Sequence, residues 1–139
     1  MTDATQVDFG ILLGLAYQDF VVELRAAIAA DGFSDTGRSD GAVFRTLAAR
    51  AMTVSDLATR LSITKQGAAQ IIDDMERRGY VERRPDPTDG RARLLYLSAR
   101  GAAALASARR FHQRFERRLA RRHGREAVCL LYTSDAADE

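Results

Sequence analysis

Tryptophan is absent from the 139 residues, and cysteine and lysine occur once each, as Cys129 and Lys65. A lone thiol excludes an intramolecular disulfide framework and a cysteine-based metal site. The longest apolar run near the start, "ILLGLAY" (11 to 17), is far short of the roughly 20 residues that span a bilayer. No basic segment precedes it, which argues against a secretory signal. The expectation is a cytoplasmic protein without a membrane partner. Proline is nearly as scarce, and both copies, Pro85 and Pro87, fall in one turn-forming stretch.

What is present describes one folded domain. Hydrophobic residues make up 46% and charged residues 29%, a globular composition, and the length suits one core rather than two. The net charge of +2 hides an uneven distribution. The first forty residues hold Asp3, Asp8, Asp19, Glu23, Asp31, Asp35 and Asp40 against Arg25 and Arg38. Arginine clusters at 77 to 93 and again at 109 to 125, where eight arginines oppose Glu116. The planar fork of arginine suits phosphates and guanine edges, so the bias points toward nucleic acid. A GC-rich genome would produce the same bias, and the Arg-rich segment also suits a solvated face or pairing with the acidic first helix.

Apolar spacing predicts a first helix from Leu12, through Leu15, Ala16, Phe20, Leu24, Ala27 and Ile28, ending near Asp31 before "DGFSDTG". A second, from about Ser39 to Arg50, buries Val43, Phe44, Leu47 and Ala48. Thr53 and Asp56 have the spacing of a helix start, with Leu57, Ala58 and Leu61 inward. After "SIT", Thr64 caps a further helix that Gly79 ends. "YVERR" (80 to 84) and "RLLYLS" (93 to 98) flank "PDPTDGRA" and predict a β-hairpin. From Ser98 to about His123 a helix carries Leu105, Ala108, Phe111, Phe115 and Leu119 on one face and Arg110, Arg114, Arg117 and Arg121 on the other.

Two short helices around a tight turn suit a helix-turn-helix, whose second helix needs one apolar and one reading face. Ala68, Ile71, Ile72 and Met75 make the first; Lys65, Gln66, Ala69, Gln70 and Asp73 make the second. Glutamine matches the adenine edge, lysine reaches guanine or phosphate, and Ala69 leaves room for a thymine methyl. An ordinary solvated helix face has a similar composition. The basic hairpin that follows favours a winged form, in which a loop arginine enters the minor groove. Arg91 sits at that place, and Asp89 is positioned to hold it by a charge-assisted hydrogen bond.

The stretch "TVSDLATRLSITKQGAAQIIDDMERRGYVERRPDPTDGRARLLYLSARG" (53 to 101) resembles the winged-helix core of the MarR family of bacterial transcriptional regulators. Asp86-Pro87-x-Asp89-x-Arg91, a strand ending Leu97-Ser98, and Gly101 carry the resemblance. It implies a mainly α fold with a small β-hairpin wing and long N- and C-terminal dimerisation helices. The division would be a dimerisation helix at 8–32, the DNA-binding unit at 38–98, a second dimerisation helix at 99–125 and an atypical tail at 126–139. It implies a recognition helix with Thr64, Lys65, Gln66, Ala69 and Gln70 toward double-stranded DNA, and a wing with Asp89, Arg91 and Arg93. A homodimer would read a pseudo-palindromic operator, commonly as a repressor, and a small aromatic or phenolic ligand would release it from a cleft near Tyr17, Arg38 and Phe44. Gly90 departs from the family, where many members carry a second arginine. The alternative is a winged-helix module for protein partners that does not read DNA sequence.

Other chemistry is weakly represented. His112 and His123 share a helix face without a carboxylate or thiol pair, so no metal is expected. Asp73 and Asp74 are adjacent and diverge on a helix, and no serine or cysteine has a histidine partner in the pattern, so neither an enzyme nor a cofactor is expected. The last segment, "CLLYTSDAADE" (129 to 139), resembles a translated sequencing-adapter segment. On that reading the gene product is truncated, Cys129 carries no meaning, and a dimer that uses a further helix is weakened.

Overall fold

The computed structural model describes residues 8–133, with side chains as far as residue 129. Helix α1 (Phe9–Ala30) is followed by α2 (Asp40–Ala49), α3 (Val54–Leu61) and α4 (Lys65–Arg77). Strands β1 (Val81–Pro85) and β2 (Arg93–Leu97) make a hairpin, and α5 (Ala99–His123) and α6 (Arg125–Thr133) complete the order. The architecture is mainly helical with one antiparallel pair, as the pattern predicts.

Hydroxyl side chains set the helix starts that position the rest. Thr53 and Asp56 form a reciprocal capping box at α3: the Asp56 amide donates to Thr53 Oγ1 at 3.2 Å and the Thr53 amide to Asp56 Oδ2 at 3.3 Å. The Gly67 amide donates to Thr64 Oγ1 at 3.0 Å, and the Gly101 amide to Ser98 Oγ at 3.0 Å. Gly79, at φ +80°, turns the chain from α4 into β1, a conformation that other residues adopt at a cost.

The core gathers apolar faces of different periodicity. Val43, Phe44 and Leu47 of α2, Leu57 of α3, and Ile72 and Met75 of α4 meet Val81, Leu95, Ala104 and Leu105. Hairpin register pairs Val81 with Leu97 and Arg83 with Leu95, and the Leu95 amide also donates to the Met52 carbonyl at 2.8 Å. The wing is thereby pinned to the segment before α3. Ala48, expected in the α2 stripe, is exposed, because the helix meets the core along Val43, Phe44 and Leu47 only.

The outer helices pair with each other. Phe20 of α1 lies against Phe111, with ring centroids 5.5 Å apart, and edge-on to Phe115 at 4.9 Å. Arg118 pairs with Glu23 at 2.6 Å and Arg110 with Asp31 at 3.1 Å, so the Arg-rich helix does meet the acidic one. Toward its N-terminus α1 has no cover: Phe9, Ile11, Leu13, Leu15 and Tyr17 are all more than half exposed. Helix α6 was not anticipated. Gly124, at φ +85°, ends α5, and the segment after it is helical through Thr133. Residues 134–139 of the tail, and Asp3, lie outside the described residues.

A polar junction fixes α4. Arg78, at its C-cap, donates to Asp40 Oδ2 at 2.6 Å, to Asp74 and to the Asp35 carbonyl at 2.7 Å. The Tyr80 hydroxyl donates to Asp35, and Arg100 pairs with Asp35 while stacking over the Tyr80 ring at 4.3 Å. The Tyr80 hydroxyl, first through burial and then through the Asp35 carboxylate, has its pKa pushed up to about 12. Asp35 is held below its ordinary value, chiefly by the bond from Tyr80 and then by Arg100. At the start of α5, a Cβ at Gly101 would overlap the Tyr80 carbonyl oxygen.

Gly101→Ala is therefore expected to lose about 2 kcal/mol through overpacking against backbone, read as a lower urea midpoint at an unchanged slope. Tyr80→Phe is expected to lose about 1 kcal/mol at neutral pH, a charge-assisted bond discounted for the partial exposure of Asp35. Because the folded pKa of Asp35 is depressed, its contribution is complete above the ordinary value of 3.8 and is lost as pH falls through the folded pKa. Urea unfolding of the two proteins should show the gap between them narrowing in acid.

Candidate nucleic-acid interface

Helix α4 presents one buried apolar face and one exposed polar face. Ala68, Ile72 and Met75 are buried and Ile71 is half-buried, while Lys65, Gln66, Gln70 and Asp73 are exposed. Ala69, half-buried, lies between them and keeps the surface low. Thr64 is exposed, but its hydroxyl accepts the Gly67 amide, so it starts the helix as well as bordering the reading face. All five residues assigned to the recognition helix therefore share one side of α4 or its first turn.

The wing tip is organised by aspartates acting on backbone. The Thr88 amide donates to Asp86 Oδ1 at 2.9 Å, and the Thr88 hydroxyl to the same oxygen at 2.8 Å. These bonds hold the Asp86 carboxylate below its ordinary pKa. Asp89 does orient residue 91, but differently from the expectation: Oδ1 accepts the backbone amide of Arg91 at 3.1 Å, not its guanidinium. An Asx turn of this kind is a local bond two residues on, which a side-chain pair cannot match in a tip this short. The Asp86 amide closes the loop by donating to the Ala92 carbonyl at 2.9 Å.

The four arginines of the hairpin then divide. Arg83 pairs with Asp73 and approaches Glu76 to 3.8 Å, both on α4. Arg84 pairs with Glu82 at 2.7 Å and lies over the Tyr96 ring at 4.8 Å. Arg91 and Arg93 are exposed, and among the described residues their guanidinium groups make no hydrogen bond or ion pair. Gly90 beside them has ordinary φ, and a side chain built there would enter open space. The cationic tip that remains is narrower than the basic sequence around it.

On the other side of the fold, Tyr17, Arg38 and Phe44 border one hollow of about 920 Å³ between α1, α2 and α5. Residues that the sequence did not assign to this hollow join them: Arg45, His112 and Asp40. Arg45 Nη2 donates to His112 Nε2 at 3.0 Å. Burial first, and the Arg45 charge second, hold His112 below its ordinary pKa and so favour the neutral ring. Asp40 is buried and already engaged by Arg78 and by the Gly37 amide at 2.7 Å. His112 and Arg45 lie 67 residues apart, and spacing alone held no signal for the pair. No cluster of three metal-ligating side chains occurs among the described residues, and no described helix is long and apolar enough to cross a membrane.

Comparison with known proteins places this geometry. Residues 34–92 match the MarR family. The transcriptional activatory protein BadR of Rhodopseudomonas palustris is 39% identical over 61 residues, which are 44% of this chain and 35% of that protein, so the match spans about a third of the relative's length. The transcriptional repressor CouR, solved bound to a 23-mer DNA duplex, superposes with a TM-score of 0.73 at 25% identity over 99% of this chain and 95% of that one. A mutant MarR from E. coli, solved in complex with operator DNA, shares the fold with a TM-score of 0.65 at 23% identity over 92% and 91% of the two chains. The matched segment, residues 34–92, holds the helix pair and most of the wing and is similar to the MarR family, and the fold around it is shared along the chain with the CouR structure.

Proposed function

We propose that this protein is a homodimeric repressor that binds a pseudo-palindromic DNA operator and is released by a small aromatic or phenolic ligand. The observation that carries the DNA part is the pairing of an exposed polar face on α4 with a wing whose Arg91 and Arg93 are uncommitted. Lys65, Gln66, Ala69 and Gln70 read the major groove, with Thr64 at the helix start near the backbone. Arg91 and Arg93 enter the minor groove, and Asp89 shapes the tip by holding the Arg91 amide.

The uncovered apolar side of α1 supports the dimer. Phe9 is 75% exposed and Tyr17 67%, apolar surface that a second copy would bury. Two recognition helices about 34 to 36 Å apart would then meet successive major grooves. The hollow beside Tyr17, Arg38 and Phe44 supports the ligand: its walls are mainly apolar and its rim carries guanidinium groups suited to an acidic or phenolic oxygen. A module that docks proteins through the same fold is the competing outcome.

Selection of a random duplex library on the purified protein is expected to enrich an inverted repeat with half-sites about one helical turn apart. Recovery of no preferred sequence would overturn the operator reading. On the enriched duplex, Arg91→Ala should weaken binding and lower the salt slope by about 0.9 log units per log unit of salt, the loss of one cation that offsets phosphate charge from the groove. Gln66→Ala and Gln70→Ala should relax base preference at one or two positions. Gly90→Arg should tighten binding and steepen the slope by a similar amount, since its side chain meets no obstacle.

A further inference from the structure

Arg83 differs from every other arginine of the hairpin in pointing back at the recognition helix. Its backbone is fixed opposite Leu95, a fully buried residue whose amide is bonded to Met52. From that fixed strand Nη2 lies 2.5 Å from Asp73 Oδ1, and Nε lies 3.8 Å from Glu76 Oε2. Nε is itself buried without a hydrogen bond, so the group is pressed against the helix rather than spread into solvent.

The acidic partners occupy an unfavourable place. Gln66, Gln70 and Asp73 are spaced four and three residues apart, one stripe of a helix, so Asp73 continues the line of base-reading side chains. Glu76 stands one turn further on. Two carboxylates in that line would face the phosphates of any duplex seated on α4, and like charges there oppose binding.

We propose that Arg83 is a positioning residue for DNA reading: it cancels Asp73 and Glu76 at the edge of the reading face and locks the wing strand to the recognition helix. It acts through those carboxylates and not as a phosphate contact. The inference rests on the DNA-reading role proposed above. It also separates Arg83, which serves the helix, from Arg91 and Arg93, which remain for the duplex.

The test is equilibrium binding of the enriched duplex and of a random-sequence duplex to the wild type, Arg83→Met, Asp73→Asn/Glu76→Gln, and the triple variant. Arg83→Met is expected to weaken binding to both duplexes by about tenfold, the effect of stripping a charge of its partner. The same change in the Asp73→Asn/Glu76→Gln background should alter affinity by less than about twofold, because coupled neighbours are not additive. The doubly amidated protein, with Arg83 intact, should bind more tightly than the wild type. An equal loss from Arg83→Met in both backgrounds would make Arg83 a phosphate contact and overturn the proposal. So would a loss of base preference in Asp73→Asn/Glu76→Gln, which would place a carboxylate on a cytosine edge. If Arg83→Met does not fold, the amidated protein decides alone: tighter binding supports the proposal and unchanged or weaker binding overturns it. A wild type without sequence preference removes the operator reading while the random duplex still scores Arg83. A wild type that binds neither duplex overturns both.

Discussion

The ion pair between Arg78 and Asp40 is the interaction on which the placement of α4 depends. Its partners are 38 residues apart, 2.6 Å from each other, and 18% and 3% exposed in their side chains. Breaking such a pair by removing one side typically costs about 3–5 kcal/mol, because the survivor is left charged and dry. Here a surviving arginine would keep other partners, since Arg78 also holds Asp74 and the Asp35 carbonyl. Desolvation opposes the charge of Arg78, yet Asp40 and Asp74 outweigh it and hold its pKa above the ordinary value. The result is that the C-terminal end of α4 is attached to the start of α2, to the loop after α1 and, through Tyr80 and Arg100, to the start of α5.

That junction places the proposed ligand hollow and the reading helix on two sides of the same residues. Asp40 lines the hollow and at the same time anchors Arg78. The loop that carries Asp35 also carries Arg38, at the rim of the hollow.

In the stretch 77 to 93, Arg77, Arg78, Arg83 and Arg84 have acidic partners, and Arg91 and Arg93 make no ion pair among the described residues. Arg110 and Arg118 are taken up by Asp31 and Glu23, Arg100 by Asp35, Arg83 and Arg84 by acids of α4 and β1. Many of these pairs are partly exposed and worth little in stability. Their effect is on the pattern of potential: paired surfaces become nearly neutral, and the wing tip keeps its charge. Asp31 shows the same pairing from the acidic side, held below its ordinary pKa first by the Ser107 hydroxyl and then by Arg110.

Local rules were legible in the sequence because they act within a few residues. The caps at Thr53, Thr64 and Ser98, the stop at Gly79, the inward face of α4 and the turn between the strands all follow from side chains bonding to nearby backbone or from helical spacing. The exposed polar face of α4 followed from the same spacing, and the exposure of Arg91 from its place beside the Asp-Gly turn. The sequence also carried the family resemblance, through the order of elements and the wing motif. Tertiary structure alone decided which arginines are committed to partners, since Arg83 with Asp73, Arg78 with Asp40 and Arg100 with Asp35 are joined across 10, 38 and 65 residues. It decided that Asp89 serves the Arg91 amide, that Ala48 faces water, and that Arg45 and His112 share the hollow with Tyr17, Arg38 and Phe44. Charge pairing and cavity lining depend on how packed helices bring distant positions within a few ångströms, and no periodicity along the chain encodes that distance.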